Sequence, residues 1–385
     1  MTQPPAKPDH IPFNRPAFMG TEATLVSQAL ARQKIGPGGP FSKSCQDWLS
    51  NKFDTRLALP TGSCTAALEI AAMLLELTPG DEVIMPSFGY PSTANAFVRV
   101  GAVPVFVDID PTTMNLDPAA VAAAVTPRSR AIVPIHYGGQ PADMDALMLI
   151  AQQHDLVMVE DAANAFLAQY KGRNCGTIGA LGCFSFHETK AVHCGQGGAL
   201  LINDPAYIAR AEVLLEKGTD RRNFIRGEVD RYTWKDIGSA YALDDIRAAF
   251  LQAQLNASQQ ITQNRIALWQ AYHRGLADLA TSGHIEIPHP LPDSTLNGMI
   301  FWLKTRNASE RDALIAELAK AEVHSVFHYI PLHSADAGKR YGRFHGSDTY
   351  TTEHSSRLLR LPMYDGLQGV ERIVELIKAF FAARP

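Results

Sequence analysis

Between about residues 56 and 203, short apolar runs alternate with segments whose apolar positions recur at helical spacing. RLALP (56–60), EVIMPS (82–87), PVFVDI (104–109), RAIVPIHY (130–137), LVMVED (156–161), GCFSFH (182–187) and GGALLIND (197–204) are nearly continuous apolar runs. Strands covered on both faces read this way. TAALEIAAMLLEL, PSTANAFVRVG, DPAAVAAAV and DMDALMLIAQQH fall between them as helices. The alternation predicts an α/β domain built on a mostly parallel, seven-stranded sheet between helices. The runs after Phe184 follow one another without long helices, so that part of the sheet is expected to be mixed.

From Asp244 to Ala280 the apolar residues Ile261, Leu268, Trp269, Tyr272, Leu276 and Leu279 keep helical spacing. This helix is expected to leave a large domain of residues 1–255, which carries an N-terminal arm, and to enter a smaller α+β domain of residues 256–385. In that second part HIEIP, MIFWLK and SVFHYI predict strands. Ser309 with Asp312 resembles a capping box ahead of ALIAELAKAEV, and a last helix starts near Val370. The stretch from Lys217 to Lys235 is long, polar and aromatic, a length usually reserved for function or for packing on a partner.

Composition narrows the class. Of 385 residues, 46% are hydrophobic and 19% charged, so the chain is globular. A net charge of −4 and the lack of Lys/Arg blocks argue against nucleic acid and anionic membranes as partners. The N-terminal MTQPPAKPDHIPF has no apolar core of a secretory signal. Glu69 interrupts AALEIAAMLLEL, and no apolar run reaches transmembrane length. Five irregularly spaced cysteines without C-x-x-C argue against a disulfide framework or a zinc site. The expected location is the cytoplasm.

Candidate chemistry gathers at the carboxyl ends of the strands. In SFHETKAVHCGQGGAL (185–200), Lys190 precedes the glycines, whereas a nucleotide P-loop needs its lysine after them. His187 and His193 are six residues apart, a spacing that suits no helical metal pair. Lys190 itself lies just past a strand, where open α/β sheets bind ligands. Asp161 ends LVMVED and could cap a helix in AANAF or serve as counter-ion to a buried cation; Asn164 follows three residues later. PTGSCTAALEI (60–70) reads as strand end, turn and helix start, with Ser63 and Thr65 at an anion-binding helix terminus. Tyr90, before Pro91, offers a ring to the same edge. A lysine, an acid, an aromatic and a phosphate cradle together suit pyridoxal 5′-phosphate, which needs a lysine at its aldehyde and an acid at its ring nitrogen.

DEVIMPSF, EDAA, SFHETK and the glycine tail resemble the DegT/StrS-type nucleotide-sugar aminotransferases, a branch of the fold-type-I pyridoxal phosphate enzymes, over nearly the whole chain. FHETK, EKGTDR, YTWKDIGS, FHYIPLH and RLLRLP are most similar to the branch that forms dTDP-4-amino-4,6-dideoxygalactose from dTDP-4-dehydro-6-deoxyglucose. The resemblance implies that Lys190 bonds to the cofactor's aldehyde carbon, Asp161 pairs with its ring nitrogen and Tyr90 stacks on the ring. Cys64, Thr65 and Ser185 would hold the phosphate, with Asn164 near the ring's 3′-oxygen. It further implies glutamate as donor, 2-oxoglutarate as product and a homodimer with the active site at its interface. Arg226, Tyr232, Lys235, His328 and Tyr329 are the candidates for the sugar nucleotide. The sequence departs from the family pattern at Ala191, Gln196, Ala240 and Met299. A related acceptor, or a cofactor-binding protein without catalysis, are the competing expectations. The family's dehydratases carry histidine in place of the lysine, which Lys190 opposes.

Overall fold

The computed structural model describes residues 10–384. The proline-rich stretch 1–9, which holds most of the polar N-terminus discussed above, lies outside them. The seven runs form strands β1 (Leu57–Thr61), β2 (Glu82–Pro86), β3 (Val103–Val107), β4 (Ser129–Ile132), β5 (Val157–Asp161), β8 (Leu181–Ser185) and β9 (Gly198–Ile202). Between β5 and β8 a short hairpin, β6 (Gln169–Tyr170) and β7 (Arg173–Asn174), pairs with β10 (Ser294–Thr295).

The large sheet has eight strands, one more than expected, in the order β1-β9-β8-β5-β4-β2-β3-β13. The extra member, β13 (Arg343–Phe344), comes from the C-terminal part of the chain and pairs parallel with β3. Two residues carry no periodicity, so it is invisible to pattern reading; Arg343 Nη2 secures it to buried Glu82 at 3.0 Å. The sheet is mixed at one end, since β9 runs antiparallel to both β1 and β8.

Continuous apolar runs have a simple cause here. Val83 and Met85 of β2 and Phe106 of β3 pack into one core with helix Cys64–Leu74, whereas Ile84, Val105 and Val107 pack into another with Val121 and Leu147. Successive strand side chains alternate faces, and both faces are covered.

A third core surrounds Trp269, Tyr272, Phe301, Leu359 and Ile373. The helix Asp245–Thr281, capped by Asp244 Oδ1 accepting from Arg247 N at 3.0 Å, spans about 55 Å at 1.5 Å per residue. Its first half buries Ala248, Leu251 and Leu255 against the large sheet's core, and its second half buries Trp269 and Leu276 in the third core. The three-stranded sheet here has the order β11 (Trp302–Lys304), β14 (Leu358–Arg360), β12 (Val326–Phe327). MIFWLK and SVFHYI supply β11 and β12, but HIEIP forms only an isolated bridge, Glu286 to Lys304. The helix expected behind Ser309 starts earlier, at Ala308, and its cap is Asn307, which accepts from Glu310 N at 3.0 Å. Asparagine ranks with serine as a cap, and Glu310 accepts from Arg306 N, so the local signal sat two residues upstream.

Lys304 is buried in this region. Its Nζ donates to Pro111 O (2.6 Å) and His354 Nδ1 (2.7 Å) and pairs with Glu286 (2.6 Å). Burial, then the neighbouring charges of Lys304 and Arg357, push the His354 imidazole down to about 4, from an ordinary 6.5. Unfolded His354 therefore binds a proton that the folded one refuses between these values. Its contribution is complete above about 6.5 and is lost as pH falls toward 4. The thermal midpoint is expected to fall over that interval, and His354→Gln, which keeps an acceptor for Lys304, should flatten the fall. An unchanged slope in a pH series of melting curves would refute this assignment.

Candidate active site

The site is built from β5 outward. Glu160 is fully buried and accepts from Gly176 N (2.8 Å), Ile178 N (2.6 Å) and Gly179 N (2.7 Å), with His136 Nε2 at 2.9 Å. Four partners satisfy a carboxylate that would otherwise be costly to bury. The next residue, Asp161, is fixed by its backbone: its N–H donates to Pro134 O (2.9 Å) and its carbonyl accepts from His136 N (3.1 Å). Its side chain then points to the opposite face of the strand from Glu160. Oδ2 accepts from Thr93 Oγ1 at 2.6 Å and Oδ1 from Ala163 N at 3.1 Å. The residues after Asp161 form a turn, not the helix that AANAF allowed.

Lys190 lies in the connection from β8 to β9. Phe186 N donates to Gly197 O and Glu188 N to Gly195 O, both at 2.8 Å, so the chain folds back on itself around the lysine. Gly195 has φ +77°, a conformation that costs other residues. A Cβ on Gly198 would lie 2.4 Å from Cys64 N, so glycine alone lets β9 meet the start of helix Cys64–Leu74. Lys190 Nζ donates to Asn164 Oδ1 at 2.8 Å. Burial lowers the amine's pKa from that of an ordinary lysine; Asp161 pulls it up and Arg360 pushes it further down. Burial also raises the Cys64 thiol.

These groups line one cavity of about 1100 Å³, together with Ser63, Thr65, Tyr90, Ser185 and Gln196. Ser63 caps helix Cys64–Leu74, its Oγ accepting from Ala66 N at 3.1 Å. Thr65 Oγ1 and Ser92 Oγ share a hydrogen bond of 2.9 Å. A helix start and several hydroxyls on one side, with an amine and a carboxylate on the other, fit a flat phosphorylated aldehyde. Lys190 would take the aldehyde end, Asp161 the ring nitrogen, and the Ser63–Thr65 turn with Ser185 the phosphate. Bound there, pyridoxal 5′-phosphate supplies an electron sink for the carbon that exchanges its amino group.

The sequence profile of the DegT/DnrJ/EryC1/StrS aminotransferase family matches residues 18–378. The chain belongs to this family. Its cofactor is pyridoxal 5′-phosphate, and it is an aminotransferase. Solved structures agree in fold. DesV of S. venezuelae, in complex with a ketimine intermediate, is 31% identical, with a TM-score of 0.86 over 94% of this chain and 95% of its own. DesI, in the presence of its TDP-sugar product, is 29% identical, with a TM-score of 0.86 over 98% and 94%. The PLP form of Spr1654 of Streptococcus pneumoniae is 27% identical, with a TM-score of 0.86 over 97% and 99%.

The residues read from the sequence distribute unevenly around this aminotransferase's cavity. Cys64, Thr65, Tyr90, Asp161, Asn164, Ser185, Lys190, His328 and Tyr329 all line it. Tyr90 is 60% exposed, and its ring lies 6.3 Å from that of Tyr329. His328 is buried, stacks on Tyr329 at 3.6 Å and shares a 2.7 Å bond with Tyr137 Oη through Nδ1. Arg226, Tyr232 and Lys235 do not line the cavity of their own chain. Arg226 is paired with Glu212 (2.9 Å) and Glu228 (2.7 Å), Lys235 with Asp220 (3.5 Å), and Tyr232 packs on Phe224. Of the departures, Gln196 and Met299 line the cavity, whereas Ala191 is buried and Ala240 is exposed outside its lining.

Thr93 and Arg360 were not singled out from the sequence. Thr93 stands three residues after Tyr90, on the first turn of helix Pro91–Val98, and the signal was its place at a helix start facing a strand edge. For Arg360 the signal was a charge inside the apolar run RLLRLP. Thr93→Val should keep the cofactor bound but loosen Asp161, lowering turnover by about 10-fold for the loss of a hydrogen bond to a charged group. Unchanged steady-state rates in this variant would remove Thr93 from the site.

Proposed function

We propose that this aminotransferase moves the amino group of glutamate to the 4-keto carbon of a nucleotide-linked deoxysugar. The acceptor best matching the sequence is dTDP-4-dehydro-6-deoxyglucose, giving dTDP-4-amino-4,6-dideoxygalactose. The observation that carries the reading is the Lys190 amine, desolvated and bonded to Asn164, in a cavity large enough for a sugar nucleotide. A lysine is an effective base and nucleophile only as the free amine, and an ordinary one with pKa of about 10.4 is almost fully charged at neutral pH. Lowering that value lets Lys190 Nζ accept the donor's α-proton and return it at the neighbouring carbon. Asp161 holds a proton on the ring nitrogen by its charge, and Thr93 and Ala163 keep the carboxylate aimed. Resemblance to DesI, studied with its TDP-sugar product, supports a nucleotide sugar as acceptor.

The long polar segment belongs in this reading as a contribution to a second copy of the chain. Trp234 is 80% exposed and Ile225, Ile237 and Tyr232 are exposed beside it. A homodimer would cover them and could bring Arg226, Tyr232 and Lys235 toward the partner's cavity. The other acceptor reading, a differently substituted or UDP-linked keto-sugar, draws on Met299 and Gln196, which line the cavity at positions where the family pattern differs.

L-Glutamate should bleach the yellow band of the purified holoenzyme, and the correct keto-sugar from a panel of dTDP- and UDP-linked compounds should restore it. Lys190→Ala should slow both halves by about 10⁴-fold, the upper range for proton-transfer catalysis. Restoration by no 4-keto-sugar, or normal turnover in Lys190→Ala, would contradict the proposal.

A further inference from the structure

Among the described residues the Lys190 amine has one hydrogen-bond partner, Asn164 Oδ1 at 2.8 Å. Asn164 sits in the turn after β5, where neither its carbonyl nor that of Phe166 accepts from a backbone N–H of these residues. One side chain takes both: Asn297 Nδ2 donates to Asn164 O at 2.8 Å and to Phe166 O at 2.9 Å. Asn297 lies 133 residues further along the chain, in the loop between β10 and β11, and is only 2% exposed. Its Oδ1 accepts from Met299 N at 3.0 Å, which settles the end of the amide that faces the turn. Gly139 makes room for it, since a Cβ there would lie 1.8 Å from Asn297 Oδ1 and 3.0 Å from Asn164 O. Arg265 ties the same loop from behind, its Nε and Nη2 donating to Gly298 O (3.2 Å) and Met299 O (2.8 Å). An amide NH2 carries two donors at a fixed angle and so suits two carbonyls of one turn. Without it, two buried carbonyls would lose their partners at a cost.

We infer that Asn297 is a positioning residue for Lys190: its amide clips the turn 164–166 and so aims the Asn164 side chain at the amine. The inference rests on the reading of Lys190 as the reacting amine. The direction of a Cβ follows its backbone, and here the backbone is held at Asn164's own carbonyl and again two residues later. Met299 and Ile300 of the same loop line the cavity, so Asn297 joins one cavity wall to the amine's acceptor. Cys64, Asp161, Arg360 and His328 are the other titratable or charged groups that share the amine's surroundings. The bonds of Asn297 reach none of them, which leaves Asn164 as the route. An acceptor aimed at the amine favours the ammonium. Losing that aim lowers the amine's pKa and misplaces the group that carries the proton.

Two readouts test this in Asn297→Ala, Asn164→Ala and the double variant. The first is the pH profile of Lys190 acetylation in the full-length protein freed of cofactor, followed by peptide mass spectrometry. Its midpoint should fall by about one pH unit in Asn164→Ala and by about half of that in Asn297→Ala, the range for hydrogen bonds to charged groups. The double variant should match Asn164→Ala, because two residues that act through one contact do not add. The second is holoenzyme turnover with L-glutamate: kcat should fall by about 10-fold in Asn297→Ala with KM within about twofold, as for a misplaced catalytic group. An Asn297→Ala midpoint at the wild-type value, a midpoint that rises, or shifts that add in the double variant would each overturn the inference. A lower melting temperature without a midpoint shift would make Asn297 a plain structural residue and overturn it as well. If Asn297→Ala fails to fold, Asn297→Ser decides: its hydroxyl can serve only one of the two carbonyls, and the midpoint must still fall. A holoenzyme whose cofactor maps to another lysine would sink the Lys190 reading, whereas the midpoint shift in cofactor-free protein decides the clip.

Discussion

The Lys190 amine is half-buried in the cavity at the carboxyl edge of the large sheet, and the chemistry of the cavity depends on the lowered pKa that this burial gives it. Removing water disfavours the ammonium, the opposite of what the nearby Asp161 carboxylate favours, and burial is the stronger effect. The balance works only if Asp161 and Lys190 keep their separation. Asp161 is held by backbone bonds to Pro134 and His136, and the strand behind it by Glu160, which takes three backbone N–H groups from the 176–179 turn. Lys190 is held by Asn164 and by a fold-back that requires Gly198 to pass within van der Waals reach of Cys64. A rigid scaffold below and a bent loop above thus fix one titration.

The same packing sets the other half of the cavity. Helix Cys64–Leu74 can start beside the lysine because Ser63 caps it and Gly198 admits it. Its first N–H groups face the cavity where an anion is expected. The far wall comes from His328 and Tyr329, which follow β12, and from Arg360, which ends β14 of the small sheet. The long helix Asp245–Thr281 runs through both cores, so the two walls are joined by one continuous element.

Much of this was legible in the sequence, for physical reasons. Strands covered on both faces leave long apolar runs, and all seven such runs became strands of one sheet. Candidate residues just past those strands, Lys190, Asp161, Tyr90 and Cys64 among them, meet in one cavity because parallel strands deliver their carboxyl ends to one edge. What was hidden lacked a local signal. β13 is two residues held by a distant strand and an ion pair, and HIEIP alternates like a strand yet finds only a bridge. Arg360 was not singled out within RLLRLP, since nothing nearby in the chain shows that it lies over Phe13. Arg226 and Lys235 looked like free cations, but Glu212, Glu228 and Asp220 occupy them.

The central claim is that Lys190, among the 12 lysines of the chain, is the one covalently joined to the cofactor. Borohydride reduction of the yellow holoenzyme fixes that bond permanently, and peptide mapping by mass spectrometry then locates it. The account predicts a single pyridoxyl-phosphate mass increment, on the peptide containing Lys190, and none when glutamate is added before reduction. An increment on another lysine, or a Lys190 peptide left unmodified, would contradict it.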